Sequence, residues 1–128
     1  MREKTAELLS KLAKEEYCYL TTHGRVSGRL HEIEIWFGTR GGLRIYLMAG
    51  NHRSDWVLNS LKDPNVTVRI AGYVFNGRAG IMNDNEEEIS ARYLLAEKYQ
   101  EWEAGRKLSE WARTALVVGI DLSLTESE

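Results

Sequence analysis

The sequence predicts a mainly β domain with flanking helices, in which about six to seven mostly antiparallel strands close into a small barrel. Three observations predict it. Short apolar–polar alternations recur along the chain, separated by glycine-containing turns. The run LVVGIDL (Leu116 to Leu122) is almost continuously apolar, as a strand covered on both faces would be. With 128 residues, 28% of them charged with both signs mixed, the chain can bury a real core, and barrel closure would leave few unpaired strand edges. Residues 1–128 therefore read as a single domain: an N-terminal helix at 1–16, barrel strands at 17–82 with a short helix at 54–62, helices at 84–114 and a closing strand at 116–122.

Each element has its own signal. Between Glu3 and Glu16, Leu8, Leu9, Leu12 and Ala13 share one side and Lys4, Glu7, Lys11 and Lys14 the other, which is an amphipathic helix. Tyr17 to Thr22 reads as a strand, and a Gly24 to Gly28 turn leads into Leu30 to Phe37. There Ile33, Ile35 and Phe37 point one way, and Glu32, Glu34 and Trp36 the other. Thr39 to Gly42 (TRGG) predicts a hairpin turn into Leu43 to Ala49, with Leu43, Ile45, Leu47 and Ala49 inward and Arg44, Tyr46 and Met48 outward. Ser54 is a helix cap, Asp55 favours a first turn, and Asp63-Pro64 ends the element. Val66 to Ile70 alternates again, and Ala71-Gly72 permits a tight turn into Tyr73 to Met82, where Gly77 and Gly80 predict a bulge or sharp bend. Asn83-Asp84-Asn85 caps a helix whose acidic start, Glu86 to Glu88, suits the positive end of its dipole. Gly105 interrupts that helix, and a second piece carries Leu108 and Trp111.

The bulk composition excludes several classes. A net charge of −2 argues against a general nucleic-acid binder. Cys18 is the only cysteine, so no internal disulfide forms, and between Tyr17 and Tyr19 it reads as a buried packing residue. No apolar run reaches the roughly 20 residues of a membrane span, and the N-terminus lacks a signal-peptide core, so the chain reads as cytoplasmic. His23, His31 and His52 with Glu32 or Glu34 would be the only metal candidates. On a strand, however, His31 points opposite to both glutamates, and no tight ligand spacing is present, so no metal is expected.

Charge is nevertheless uneven. Between Thr22 and Arg53 the balance is +3, and all three histidines fall there. The turn GRVSGR holds two glycines, two arginines and Ser27. Glycines allow close approach of backbone amides to a ligand, and the arginine fork matches phosphate or carboxylate. A second donor group follows at Gly50, Asn51, His52, Arg53 and Ser54, at the start of the short helix. If turn and helix start meet beside one barrel edge, they form a phosphate clamp; the plain alternative is a solvated hairpin turn.

The combination of YLTTHGRVSGRLHEIEIWF, YLMAGN, SDWVLNSLKDPNVTVRI and ALVVGIDL, spaced from Tyr19 to Leu122, resembles the deazaflavin-dependent nitroreductase family. That family lies within the flavin-binding split-barrel group, beside the pyridoxamine-phosphate oxidases and flavin reductases. The resemblance implies a split β-barrel that binds coenzyme F420 and passes its hydride to a small conjugated acceptor such as a quinone or nitro compound. It implies that Gly24, Arg25, Ser27 and Gly28 belong to the cofactor loop, and that Asn51 to Trp56, including Arg53 and Ser54, lies near the cofactor phosphate. The expected ring site is barrel backbone near Ile33 to Trp36 and Met48 to Gly50, which adds Ile35, Trp36 and Gly50, with Trp36 or Tyr46 as lining. Tyr93 and Tyr99 are candidates to close the substrate side, and Tyr99 is the candidate proton donor; both also suit plain helix packing. Trp102 and Trp111 read as core or interface anchors.

The chain departs from the family pattern at Val26, where lysine is common, at His31, where arginine is, and at Glu34-Ile35, where a proline-leucine pair is. Flavin mononucleotide, with one phosphate and no glutamate tail, needs fewer basic contacts and is the alternative cofactor. Non-enzymatic alternatives are a barrel that carries such a cofactor without turnover and a barrel that binds single-stranded RNA through Arg44, Trp36 and Tyr46. A homodimer is expected, since outward Trp36 needs cover.

Overall fold

A computed structural model describes residues 2–124. The elements run α1 (Arg2–Leu12), β1 (Cys18–His23), β2 (Leu30–Ile35), β3 (Arg44–Ala49), α2 (Asp55–Lys62), β4 (Asn65–Ile70), β5 (Tyr73–Ile81), α3 (Asn85–Gln100), α4 (Glu110–Thr114) and β6 (Leu116–Leu124). The strands form one antiparallel sheet in the order β2-β1-β4-β5-β6-β3. Among the described residues no helix is long and apolar enough to cross a membrane.

The sheet curls around a core of Leu20, Ile45, Leu47, Val68, Phe75 and Ile120, closed at one end by Leu9 and Leu12 of α1. Phe37 and Phe75 are fully buried there, each contributing on the order of 1.5–3 kcal/mol. A second apolar layer lies outside the barrel. Met48 and Val117, on outward positions of β3 and β6, are covered by Ala91, Leu95 and Ala96 of α3 and by Ala112 of α4. This explains why LVVGIDL lacks alternation: Val118 and Ile120 face the barrel core, and Val117 faces the helices.

Two predicted turns behave differently. Ala71 and Gly72, with φ of 49° and 86°, make the two-residue hairpin between β4 and β5. The Thr39 to Gly42 turn does not zip β2 onto β3. Those strands lie at opposite ends of the sheet order, and what joins them is the isolated bridge between Gly38 and Tyr46, with Gly38 N donating to Tyr46 O at 3.0 Å and Tyr46 N to Gly38 O at 2.8 Å. Strand β2 also ends at Ile35 instead of Phe37, because side chains of α3 take up the main chain of Phe37. The barrel is therefore split along a seam between β2 and β3.

The expected bulge is absent as well. Strand β5 keeps one continuous register with β4 through Gly77 and with β6 through both Gly77 and Gly80. Gly77 serves packing: a Cβ there would stand 2.6 Å from Ile120 Cγ2 and 3.0 Å from Val66 Cγ2. Asp84 caps α3 as its sequence predicts, its carboxylate accepting from Glu87 N at 3.0 Å. The helix then stops at Glu101, in the left-handed conformation (φ 54°), ahead of Gly105. Leu108 precedes α4, so only Trp111 of the expected pair is helical.

The close contact at Gly77 gives a direct test. Gly77→Ala should overpack the barrel and lower stability by about 1–3 kcal/mol in denaturant unfolding. Gly80→Ala, whose Cβ would meet nothing within 4 Å, should cost less.

Candidate active site

The β1–β2 turn is latched to α2. Asn59 is buried on α2 and its Oδ1 accepts from Arg25 N at 3.0 Å and from Arg25 Nη1 at 2.9 Å, while its Nδ2 donates to buried Thr22 Oγ1 at 3.2 Å. Arg25 Nη2 completes the grip on Asp55 Oδ1 at 3.1 Å. The turn and the start of α2 thus converge, and they enclose a cleft of about 210 Å³ lined by Gly24, Arg25, Val26, Ser27, His31, Asp55 and Asn59. Within the turn, Gly28 N donates to Gly24 O, Gly24 N to Arg29 O, and Arg29 N to Ser27 Oγ. Gly28 has a φ of 77°, which this turn needs and a side chain would strain. Most of the amides expected to cradle an anion are therefore spent on the turn's own shape.

The neighbouring helix start is different. Ser54 is the N-cap of α2 by its backbone angles, yet its hydroxyl makes no cap bond. Its Oγ is buried and without a partner, the one such atom among the described residues. A helix N-terminus leaves amides pointing outward with a positive dipole end. Asn51 shapes the approach, its Oδ1 accepting from Arg53 N at 2.9 Å and its carbonyl from Ser54 N at 3.1 Å. Arg53 is exposed and forms no ion pair among the described residues. Trp56 packs against the barrel core, a supporting place and not an open one.

A second cleft, of about 320 Å³, opens at the barrel seam. Its lining is Tyr17, Glu34, Ile35, Trp36, Met48 and Trp111. Trp36 stacks on Tyr99 with ring centroids 4.3 Å apart and 2° between planes, and meets Trp111 edge-on at 5.5 Å. The cover expected for Trp36 is thus supplied in part by its own chain. Gly50 passes close beside Trp111, since a Cβ there would lie 3.3 Å from Trp111 Cδ1. Trp111 is positioned by α4, which Arg92 ties down by donating to Ala112 O at 3.1 Å and Ala115 O at 2.7 Å.

Strand β2 contributes to both clefts, His31 lining the first and Glu34 and Ile35 the second. At the usual rise, His31 to Trp36 spans roughly 16 Å. Apart from the Gly38–Tyr46 bridge, β2 pairs with β1 alone and β3 with β6 alone among the described residues, so both strands turn backbone polar groups toward the seam.

Tyr99 lines neither cleft. Its hydroxyl accepts from Phe37 N at 3.0 Å and lies within donating distance of Phe37 O (2.9 Å) and Glu16 O (2.7 Å). Burial pushes its pKa up to about 12. The expected proton donor is instead a pin that holds the end of β2, with its ring as the platform under Trp36. Tyr93 is likewise turned elsewhere, packing on Trp102 at 4.7 Å. Tyr46 donates to Glu87, in a network where Arg44 also bonds Glu87 (2.7 Å) and Asp121 (2.7 Å), joining β3, α3 and β6. The histidines are dispersed: His23 lies by Asp63 and Asn65, His31 by Gly24, and His52 by Thr114 O.

A family model described as F420H(2)-dependent quinone reductase matches residues 1–118. The chain belongs to that family. It is accordingly an F420-dependent reductase. Among solved structures, an F420-H2 dependent reductase is 20% identical, with 82% of this chain and 93% of the other covered and a TM-score of 0.64. A Listeria innocua protein provisionally assigned as a pyridoxamine 5′-phosphate oxidase is 19% identical, with 97% and 99% covered and a TM-score of 0.67. A FAD-binding protein from Mesorhizobium loti is 13% identical, with 91% and 88% covered and a TM-score of 0.64. At such identities the likeness is one of fold, the split barrel. No curated protein matches the chain in sequence.

The residues present fit a phosphate-bearing, ring-containing cofactor. The orphaned Ser54 hydroxyl, the open first turn of α2 and Arg53 supply donors for an oxyanion, and the seam supplies unpaired strand edges beside aromatic faces. Sequence reasoning did not find Asn59, which latches the turn to α2, or Lys98, whose Nζ donates to Phe37 O at 2.8 Å and lies 3.8 Å from the Phe37 ring centroid. A polar residue in the apolar stripe of α2 was the available signal for Asn59.

Two outcomes follow from this geometry. Asn59→Ala leaves Arg25 N and Thr22 Oγ1 without their partner and should cost roughly 1–3 kcal/mol of unfolding free energy. Burial lowers the Lys98 pKa from 10.5 to about 8. Between those values the unfolded chain binds more protons than the folded one, so this group's contribution to stability rises with pH. The stability of the natural protein relative to Lys98→Met should therefore increase across that window in chemical melts.

Proposed function

We propose that the two clefts are ends of one groove that holds a deazaflavin, coenzyme F420, with its phosphate at the start of α2 and its ring along the seam, and that a small conjugated acceptor, a quinone or a nitro compound, stacks in the aromatic cleft. The single observation that carries this reading is the buried, unpartnered Ser54 hydroxyl at the start of α2, the helix whose Asp55 and Asn59 line the first cleft. When bound, the cofactor supplies the hydride.

The chain's own residues bind and orient. Arg53, Ser54 and the first amides of α2 neutralise an oxyanion. Arg25 keeps the turn against α2, so that Gly24, Ser27 and Gly28 wall the phosphate end. Backbone edges at Ile33 to Trp36 and Met48 to Gly50 offer donors and acceptors to the polar rim of a planar ring. Trp36, supported by Tyr99, and Trp111 fix the acceptor plane and keep water from its faces. The Tyr99 hydroxyl keeps its main-chain bonds throughout, so a proton needed by the acceptor comes from elsewhere.

Flavin mononucleotide is the second reading. Val26 and His31 stand where the family pattern carries cations, which leaves fewer contacts for a glutamate tail. A homodimer in the cytoplasm belongs to the same proposal, since the free edge of β2 and the exposed Val26 and Leu30 form a continuous surface beside the groove.

Titration of the apo-protein with F420 and with flavin mononucleotide, followed by absorbance, tests the assignment: F420 should bind more tightly. Arg53→Ala should weaken binding about tenfold, the effect of losing one charge-assisted contact of ~1.4 kcal/mol. Ser54→Ala should also weaken binding while leaving unfolding free energy within about 0.5 kcal/mol, because its hydroxyl bonds nothing in the folded chain. Unchanged affinity in both variants would remove the helix start from the site.

A further inference from the structure

The aromatic cleft has a charge of its own, carried by Glu34. Glu34 lines the cleft with Trp36, Trp111, Tyr17 and Met48. One carboxylate oxygen accepts from Tyr19 OH at 2.9 Å, and Glu34 forms no ion pair among the described residues. Its neighbour on the same face, Glu32, is matched by Arg69 at 3.4 Å, and Arg69 also lies over the Tyr19 ring at 4.3 Å. Lys98 is bound to Phe37 O. Neither cation is among the residues lining the cleft. Tyr17 reports the same negative field, its phenol pushed up by a hydrogen bond with Glu16 and by the charges of Glu16 and Glu34.

We propose that the aromatic cleft selects flat heteroaromatic cations over anions, and that Glu34 is the residue that sets this preference. The proposal rests on the cleft being the acceptor site, and it names the class of acceptor. Indole and phenol faces attract a cation through their ring quadrupoles, and an unmatched carboxylate at the rim adds a direct charge term. The same carboxylate repels benzoates and naphthoates of equal size, so shape and hydrophobicity alone do not decide entry.

The test uses the apo-protein and the fluorescence of its tryptophans, two of which line the cleft, so that no turnover is needed. N-methylquinolinium, 1-naphthalenemethanol and 1-naphthoate serve as cationic, neutral and anionic probes of similar size. The cation should bind at least about tenfold more tightly than the anion, with the neutral probe between them. Glu34→Gln, which keeps the acceptor for Tyr19 OH, should shrink that ratio to within about threefold. Glu32→Gln should leave the ratio unchanged, which separates a local effect from the general charge of the molecule. Equal binding of cation and anion to the natural protein, or an unchanged ratio in Glu34→Gln, overturns the proposal. So does probe affinity that rises on dilution, the mark of a second copy covering the cleft. F420 titration of the same samples separates the two ideas: F420 binding without charge preference sinks this inference alone, and charge preference without F420 binding sinks the cofactor assignment alone.

Discussion

The grip of α3 on the main chain of Phe37 is the constraint from which the groove follows. Tyr99 accepts from Phe37 N, and both Tyr99 and Lys98 reach Phe37 O. A strand whose amide and carbonyl are taken by side chains cannot continue its ladder, so β2 stops at Ile35 and the sheet fails to close beyond the Gly38–Tyr46 bridge. The opening this leaves is the seam. The same contact fixes the direction in which Trp36 leaves the strand, because the ring that supplies the hydroxyl pin also supplies the stacking face. One tyrosine therefore sets both the existence of the cleft and the orientation of its largest wall.

At the cleft between the β1–β2 turn and α2, Asn59 plays the corresponding part. A single amide reads the main chain and the guanidinium of Arg25 while holding Thr22, so the turn is fixed to a helix by a side chain able both to accept and to donate. Arginine there is structural before it is electrostatic. Its ion pair with exposed Asp55 contributes little in water, whereas the part-buried bonds to Asn59 cost more to lose. In the proposed assignment the ligand-facing charge falls to exposed Arg53, beyond the latch.

Much of the barrel is legible in the sequence because it depends on local patterns: alternation in β1, β3 and β4, the αL-permissive Ala71-Gly72 turn, and the Asp84 cap all act within a few residues. The failures share a cause. The Thr39 to Gly42 turn, the end of β2 and the role of Tyr99 are decided by contacts between segments some sixty residues apart. Gly77 was legible as unusual, but its reason is the approach of Ile120 and Val66 from neighbouring strands, which spacing along one strand cannot reveal. At the site, the basic turn and the capped helix start were readable as chemistry. The latch that joins them, and the fact that Ser54 leaves its cap bond unmade, required coordinates.

The outermost position of β2 has a consequence for life at high concentration. Its outer main-chain groups have no neighbouring strand, and Leu30 is 65% exposed at its start. An unguarded ribbon of this kind would recruit copies of itself into growing stacks. The acids at every second residue, Glu32 and Glu34, make each added layer bring like charges together, and the end of β2 at Ile35 limits the length over which stacking could propagate. Glu34, the residue proposed to set the charge preference of the cleft, thus doubles with Glu32 as a gatekeeper against uncontrolled assembly.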